Sequence, residues 1–396
     1  MVEWKKLGDI MQIVRGASPR PIKNYITSNI NGVNWIKIGD VAPGAKYVTR
    51  CNEKITKEGA DKSRYLHAGD FILSNSMSFG RPYILKIDGC IHDGWIAMSD
   101  YAKSVSSGYL YEILNSNSVQ DYWKMKANNG GAMTNLNSDI VRDTIIPIPS
   151  LSEQQRIVGI LDTFTASIEN LKEQIAQRRK QYEYYRDQMF YASKSDLLKA
   201  AKRGETVVKS LDDLGTFTRG RRFVRTDIVS EGVPCIHYGD MYTYYGVSAE
   251  ETPTHLTKEL SSKLRFANNG DVVIVAAGEN DLDIGVGVAW LGKEPVVVHD
   301  ACFIFEHKMN PKYLSHFMRS RNYHQQIRMG VVDGKICSIS AKELGRALIA
   351  VPSLQEQQRI VSILDTFEAS IQNLEAQLSQ REKQYEYYRN KLLTFE

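Results

Sequence analysis

Pro149-Ser-Leu-Ser-Glu-Gln-Gln-Arg-Ile-Val158 opens a stretch that returns without a gap as Pro352-Ser-Leu-Gln-Glu-Gln-Gln-Arg-Ile-Val361. The repeat runs through residues 149–189 and 352–392, a spacing of 203, with 29 of 41 positions identical. Both copies close on Lys-Gln-Tyr-Glu-Tyr-Tyr-Arg, at Lys180 to Arg186 and Lys383 to Arg389. A period this long marks a duplicated domain rather than a solenoid.

Inside each copy a second, shorter period appears. Ile157, Leu161, Phe164, Ile168, Leu171, Ile175, Arg178, Tyr182, Tyr185 and Met189 follow alternating steps of four and three. Ile360, Leu364, Phe367, Ile371, Leu374, Leu378, Arg381, Tyr385, Tyr388 and Leu392 repeat them. A seven-residue apolar repeat makes a helical seam that another helix must cover, and two such helices in one chain are natural partners. Proline starts each segment and only Gly159 interrupts it, so each helix can run about 60 Å at 1.5 Å per residue. A heptad pattern specifies packing rather than chemistry, and a purely structural spacer fits it as well as a functional one. Arg178 and Arg381 either fix register or lay their stems across the seam with the charge in water. The tyrosine-rich ends either belong to the core or receive a further helix from a partner.

Two segments of about 150 residues, 1–148 and 207–350, each suffice for one compact domain. They share a spaced framework. Asp9 and Ile10 lead to Arg15-Gly16 as Asp213 and Leu214 lead to Arg219-Gly220, and Ile38-Gly39-Asp40 answers Tyr238-Gly239-Asp240. Gly69-Asp70 answers Gly270-Asp271, and His92-Asp93 answers His299-Asp300. Short β-rich runs after Gly-Asp turns, such as Asp271 to Ala277 and Pro295 to Val298, alternate with helical stretches near Val119 to Met125 and Pro311 to Met329. The expected fold class is α+β, each domain a mixed, partly barrel-like sheet with helices. The expected organisation is domain 1 (1–148), helix 1 (149–192), a linker (193–206), domain 2 (207–350) and helix 2 (351–396).

Composition limits the alternatives. The chain is 42% hydrophobic and 24% charged, with net charge +4 and five cysteines that form no Cys-x-x-Cys pair. These values describe an ordinary globular protein without a disulfide framework or zinc site, and no apolar run is long enough to span a bilayer. Met1 to Met11 lacks a signal-peptide core, so a cytoplasmic chain is expected. Residues 1–148 hold 18 basic and 14 acidic side chains and residues 207–350 hold 17 of each, so a basic face must come from clustering. The strongest cluster is Arg219, Arg221, Arg222 and Arg225, with Phe223 interleaved; its counterpart is Arg15, Arg20 and Lys23, with Tyr25 nearby. Arginine at a groove contacts phosphate or pairs bidentately with guanine, which makes these loops DNA-contact candidates, although charge runs are also ordinary solvated loops. The polar loops Asn128 to Asn137 and Gly330 to Ser340 could reach a base edge with Asn135 or Lys335, or merely turn the chain.

Catalytic signatures are missing. Without adjacent prolines there is no Asn-Pro-Pro-aromatic methyltransferase motif, and there is no Walker sequence. Gly285-Val286-Gly287 runs to Trp290 where a nucleotide loop needs a third glycine. His92-Asp93 and His299-Asp300 lack the further His and Asp ligands a hydrolase requires and read as framework.

The alternation of variable domain and Pro-Ser-Leu-x-Glu-Gln-Gln-Arg-Ile helix, twice over, resembles the specificity subunits of type I restriction-modification systems across the whole chain. The resemblance implies two target-recognition domains, each reading half of a bipartite double-stranded DNA site. It implies that the conserved helices form an antiparallel coiled coil that docks two modification subunits. S-adenosylmethionine, and the ATP and magnesium of restriction, would belong to partner modification and restriction subunits, leaving this chain without cofactor or metal. The implied setting is a prokaryotic cytoplasm, associated with the nucleoid. A DNA-independent coiled-coil scaffold is the alternative.

Overall fold

A computed structural model describes residues 2–42, 44–75, 79–127 and 135–395. It divides into two units: Met1–Leu171 with Gln377–Glu396, and Lys172–Ala376. The two repeated segments are single helices, Leu151–Met189 and Leu354–Leu392. Each unit takes part of both.

In unit 1 the sheet of Gln12–Arg15, Trp95–Ser99, Phe71–Ser74, Pro82–Leu85 and Tyr47–Val48 is antiparallel except for its last pair. A second sheet orders Ile26–Thr27, Glu53–Ile55, Val33–Ile36, Gly89–Ile91 and Arg64–Leu66, with one parallel pair at its centre. A short pair, Glu3–Lys6 with Ile145–Ile148, joins the two ends of the domain. Unit 2 repeats the plan. Gly215–Arg219, Cys302–His307, Val272–Val275, Gly287–Trp290 and Ser248–Ala249 form one sheet, and Thr254–Leu256, Val233–Ile236, Val296–Val298 and Phe266–Ala267 the other. Val208–Ser210 pairs with Leu348–Ala350. The sheets are mixed, as expected, and among the described residues none closes into a complete barrel.

Central strands such as Phe71–Ser74 and Val272–Val275 are buried at every residue, which explains why they read as continuous apolar runs. The repeated Gly-Asp pairs are turn devices. Gly69 and Gly270 take φ of 103° and 96°, a region that costs a residue with a Cβ, and the following aspartates accept from the backbone N–H of His67 and Asn268. Asp40 and Asp240 cap Lys37 and His237 in the same way.

The helices Ser107–Leu114 and Asn117–Ala127 in unit 1, and Pro311–Phe317 and Arg321–Ile327 in unit 2, pack under the long helices. The second glutamine of each Glu-Gln-Gln is the joint. Gln154, fully buried, accepts from Ser106 N at 2.8 Å and donates to Ser104 O and Pro149 O. Gln357, also buried, accepts from Asn310 N at 2.9 Å and donates to Pro352 O. Ser106 and Asn310 are the N-caps of the domain helices, so a repeated side chain satisfies main-chain groups at a helix start. The neighbouring Glu153–Arg156 and Glu356–Arg359 are exposed pairs one turn apart.

The seam is antiparallel in both units. In unit 1 Phe164 stacks on Tyr388 with centroids 5.3 Å apart, and the Arg381 guanidinium lies 5.7 Å from the Phe164 ring. In unit 2 Tyr185 stacks on Phe367 at 5.4 Å and Arg178 lies 5.9 Å from that ring. Each contact is the other with the two copies exchanged. The seam arginines therefore sit on aromatic faces, a favourable place for a charge beside an apolar stripe. Ile157, Leu161, Ile168, Leu171, Ile175, Ile360 and Leu364 are buried, while Ile371, Leu374 and Leu378 are partly covered.

The tyrosine-rich ends divide by face. Tyr182 is buried with its hydroxyl 3.0 Å from His316 Nδ1, and Tyr385 donates to Glu112 Oε2 at 2.8 Å. Tyr184 and Tyr387 face solvent. Beyond Met189 the chain turns at Tyr191, with φ of 61°, and part of the stretch read as a linker is a second helix, Lys194–Lys202, whose N-cap Ser193 accepts from Asp196 N. Among the described residues no helix is long and apolar enough to cross a membrane.

Candidate nucleic-acid interface

The framework shared by the two domains converges on the His-Asp turn. A Cβ on Gly16 would fall 2.1 Å from His92 O, and one on Gly220 would fall 2.2 Å from His299 O, so only glycine lets the arginine strand approach. The residue before each glycine then ties down: Arg15 Nε donates to Asp93 O at 3.1 Å and Arg219 Nε to Asp300 O at 2.8 Å. The histidines are part of the turn. Gly94 N donates to His92 Nδ1 and Ala301 N to His299 Nδ1. Burial pushes both imidazoles below their ordinary value, against the pull of the adjacent aspartates.

The polar loops come to the same turn. Asn75 donates its side chain to Asp93 O, and its own carbonyl accepts from Leu136 N, the residue after Asn135. In unit 2 Ala276 N donates to Ala301 O and Ala276 O accepts from Ile339 N, closing the hairpin that carries Lys335 between Val332 and Ser338. Each domain thus brings its arginine loop and the described part of its polar loop to one His-Asp turn. Asn135 and Lys335 are both exposed, whereas residues 128–134 of the first loop lie outside the described residues.

The candidate cations differ in how free they are. In unit 1 Arg20 pairs with Asp93 at 3.2 Å, and the same carboxylate accepts from Ser18 Oγ, which together hold Asp93 below its ordinary value despite partial burial. Lys23 is exposed on the short turn Ile22–Asn24. In unit 2 Arg221 donates to Lys263 O at 2.8 Å, and Arg265 donates to Arg219 O. Arg222 and Arg225 are exposed and, among the described residues, form no ion pair. Arg225 borders a pocket of about 480 Å3 that His237, Tyr238 and Asp240 also line.

The interleaved aromatics belong to the scaffold rather than to a stacking surface. Phe223 is buried, with its carbonyl 3.0 Å from His299 Nε2, and Lys62 covers Tyr25, its ammonium 4.8 Å from the ring centre. Sequence reading did not anticipate Asp93 as the counter-charge of Arg20. It also missed Gln154 and Gln357, although the recurrence of Glu-Gln-Gln in two otherwise polar helix starts was the available signal.

His316, Asp365 and Glu368 place potential metal-binding atoms within 4.8 Å of one another. Lys312 Nζ stands 2.6 Å from Asp365, and Arg319 acts on Glu368 electrostatically, so the carboxylates are answered by the chain's own cations.

A sequence profile of the type I restriction modification DNA specificity domain matches residues 1–178 and 204–382. The specificity subunit of the EcoR124I/EcoR124II type I restriction enzyme of Escherichia coli is 32% identical over 269 residues, 63% of this chain and 63% of that one. The matched portion thus spans under two thirds of that relative. A type I specificity subunit of Haemophilus influenzae is 25% identical, covering 100% of this chain and 96% of its own. In fold, a chain from a structure concerning assembly and conformational transition of the type I R-M system superposes with a TM-score of 0.63 at 16% identity, over 99% of this chain and 96% of that one. The S subunit of a type I system from M. genitalium gives 0.52 at 14%, over 100% and 97%.

Proposed function

Because the chain belongs to the type I restriction-modification DNA specificity family, we propose that its two domains read the two unlike halves of one interrupted DNA site. The observation that carries this reading is the pairing of a common scaffold with unlike loops. Arg-Gly, Gly-Asp and His-Asp hold the same places in both domains, while the exposed side chains around them differ: Arg20, Lys23 and Asn135 in one, Arg222, Arg225 and Lys335 in the other. Phosphate contacts orient such a surface and base-edge contacts specify sequence, so unlike loops predict unlike half-sites.

The long helices supply the spacing and the docking surface in this reading. Leu151 and Leu354, and Tyr184 and Tyr387, are exposed apolar side chains at matching places in the repeat. Two copies of one surface suit two copies of one partner, the modification subunit. S-adenosylmethionine chemistry, and ATP-dependent restriction with magnesium, are assigned to partner subunits, and this chain acts by recognition without catalysis.

The test is a map of adenine methylation by single-molecule sequencing in the host with and without the gene. Loss of one bipartite motif on deletion is the expected result; an unchanged map in a host whose modification subunit is active would overturn the reading. Inserting one heptad into both long helices, about 10 Å of rise, should lengthen the unread spacer by about three base pairs and leave both half-sites intact. Tyr184→Ala alone should leave a complex with one modification subunit, as should Tyr387→Ala alone.

A further inference from the structure

The 203-residue spacing equates not only the long helices but what surrounds their ends. Phe190 and Leu393, at matching places, are both buried. Asp187 accepts from Arg321 N and Asn390 accepts from Asn117 N, each at the start of a domain helix. The groove between Arg321–Ile327 and the pair Val208–Ser210 with Leu348–Ala350 in unit 2 therefore corresponds to one in unit 1. That one lies between Asn117–Ala127 and the pair Glu3–Lys6 with Ile145–Ile148.

In unit 2 the helix Lys194–Lys202 packs on both strands of the short sheet. It buries Leu197 and Ala200, 1% and 0% exposed, and its lysines Lys194, Lys199 and Lys202 stay off that face. Among the described residues of unit 1 no helix lies in the equivalent groove. It has a volume of about 400 Å3 and is lined by Trp4, Tyr122, Ile145, Pro147, Leu393 and Phe395. Trp4 pairs with Pro147 in the register where Val208 pairs with Ala350. Trp4 is 54% and Ile145 56% exposed, while Val208 and Leu348 are only partly exposed. Asp143, which also lines the groove, is matched by Lys6, and Trp4, Tyr122, Ile145, Pro147, Leu393 and Phe395 are apolar or aromatic, so apolar contact dominates what binds.

We propose that this groove receives a short amphipathic helix from a partner chain, with leucine and alanine on its inner face and lysines outside, the chemistry that Lys194–Lys202 presents in the other unit. An exposed tryptophan in an apolar cleft is the form of a helix-in-groove site. The duplicated half supplies the template of the occupant.

The full chain carrying an extra copy of residues 194–204 after Glu396 tests this directly, because the repeat spacing brings Ser193 onto Glu396 and the added segment enters in register. Tethering supplies a millimolar effective concentration, so amide exchange in the added segment and in Ile145–Ile148 should slow by about tenfold or more. Trp4 emission should shift to shorter wavelength; the other four tryptophans are buried. The same fusion with Leu197→Asp in the added copy should lose both effects. If the unaltered fusion exchanges as fast as the Asp version, the groove is not a helix receptor and the proposal falls. If instead the unfused chain protects Ile145–Ile148 as its concentration rises, and Ile145→Glu abolishes the accompanying dimer in sedimentation, the occupant is a second copy and the assignment to a partner is overturned.

Discussion

The two halves of the molecule are one design carried out with different polar groups, and the differences fall in two places. Around the His-Asp turn, unit 1 neutralises Arg20 with Asp93, whereas in unit 2 Arg222 and Arg225 have no carboxylate partner among the described residues. Under the long helices, the same tyrosine of the repeat meets Glu112 in unit 1 and His316 in unit 2. The first difference sits at the surface and bears on what is read. The second is buried and bears on how each half responds to pH. A scaffold that is fixed by glycines and main-chain ties tolerates both.

The largest effect expected is on DNA. Replacing Arg222 and Arg225 together with alanine should weaken binding to the cognate site by about a hundredfold, at about 1–3 kcal/mol for each good contact. Arg20→Ala should cost less, since its guanidinium must leave Asp93 to reach DNA. Competition binding at fixed salt, with each half-site scrambled in turn, would expose equal losses and so break the distinction.

Next in size is the glutamine joint. Gln154 makes three hydrogen bonds and Gln357 two, all to main-chain atoms. Leaving buried partners unsatisfied costs about 1–3 kcal/mol per group, so Gln154→Ala should destabilise its half more than Gln357→Ala does. Urea unfolding followed by exchange in Ser107–Leu114 and Pro311–Phe317 ranks the two.

The pH responses should have opposite sign. Burial raises the Glu112 carboxyl above its ordinary 4.5, against the opposing pull of Lys46 and Arg389. A carboxyl that holds its proton more tightly when folded makes unit 1 lose stability as pH rises through the window above 4.5. Burial lowers His316 below 6.5, opposed by Asp365 and reinforced by Arg319 and Lys312, so unit 2 loses stability as pH falls below 6.5. Exchange measured from pH 5 to 8 should show that Glu112→Gln removes a loss of stability at the high-pH side in unit 1, and that His316→Gln removes a loss at the low-pH side in unit 2.

The smallest effect sharpens the likeness rather than the difference. Arg178→Ala and Arg381→Ala each remove a cation from an aromatic face, a contact of about 0.5–1 kcal/mol, and thermal unfolding should find the two losses alike.

How far the sequence spoke depended on the range of the physics. The heptad seam and the repeat were legible because helix periodicity is local, and Phe164, Phe367 and the seam arginines stand where their spacing placed them. The Arg-Gly and His-Asp pairs were visible as a matched framework, but their purpose was not. It rests on Gly16 and Gly220 approaching carbonyls distant in the chain, a long-range steric fact that no spacing encodes. Phe223 and Tyr25 stand among cations in the sequence, where no role for them is legible; tertiary packing assigns one to the core and covers the other with Lys62. The helix Lys194–Lys202 was passed over as a linker because its nine residues are too few to show a period, and its stability comes from a serine cap and a sheet to lie on.

The glutamine joint makes its demands only on main-chain atoms. Gln154 and Gln357 ask of a domain no particular side chain, merely a helix start and a carbonyl at the right place. In evolutionary terms it works as a standard coupling. A foreign domain that brings such a helix start would meet the same fitting at either position, with no side chain of its own to be re-engineered.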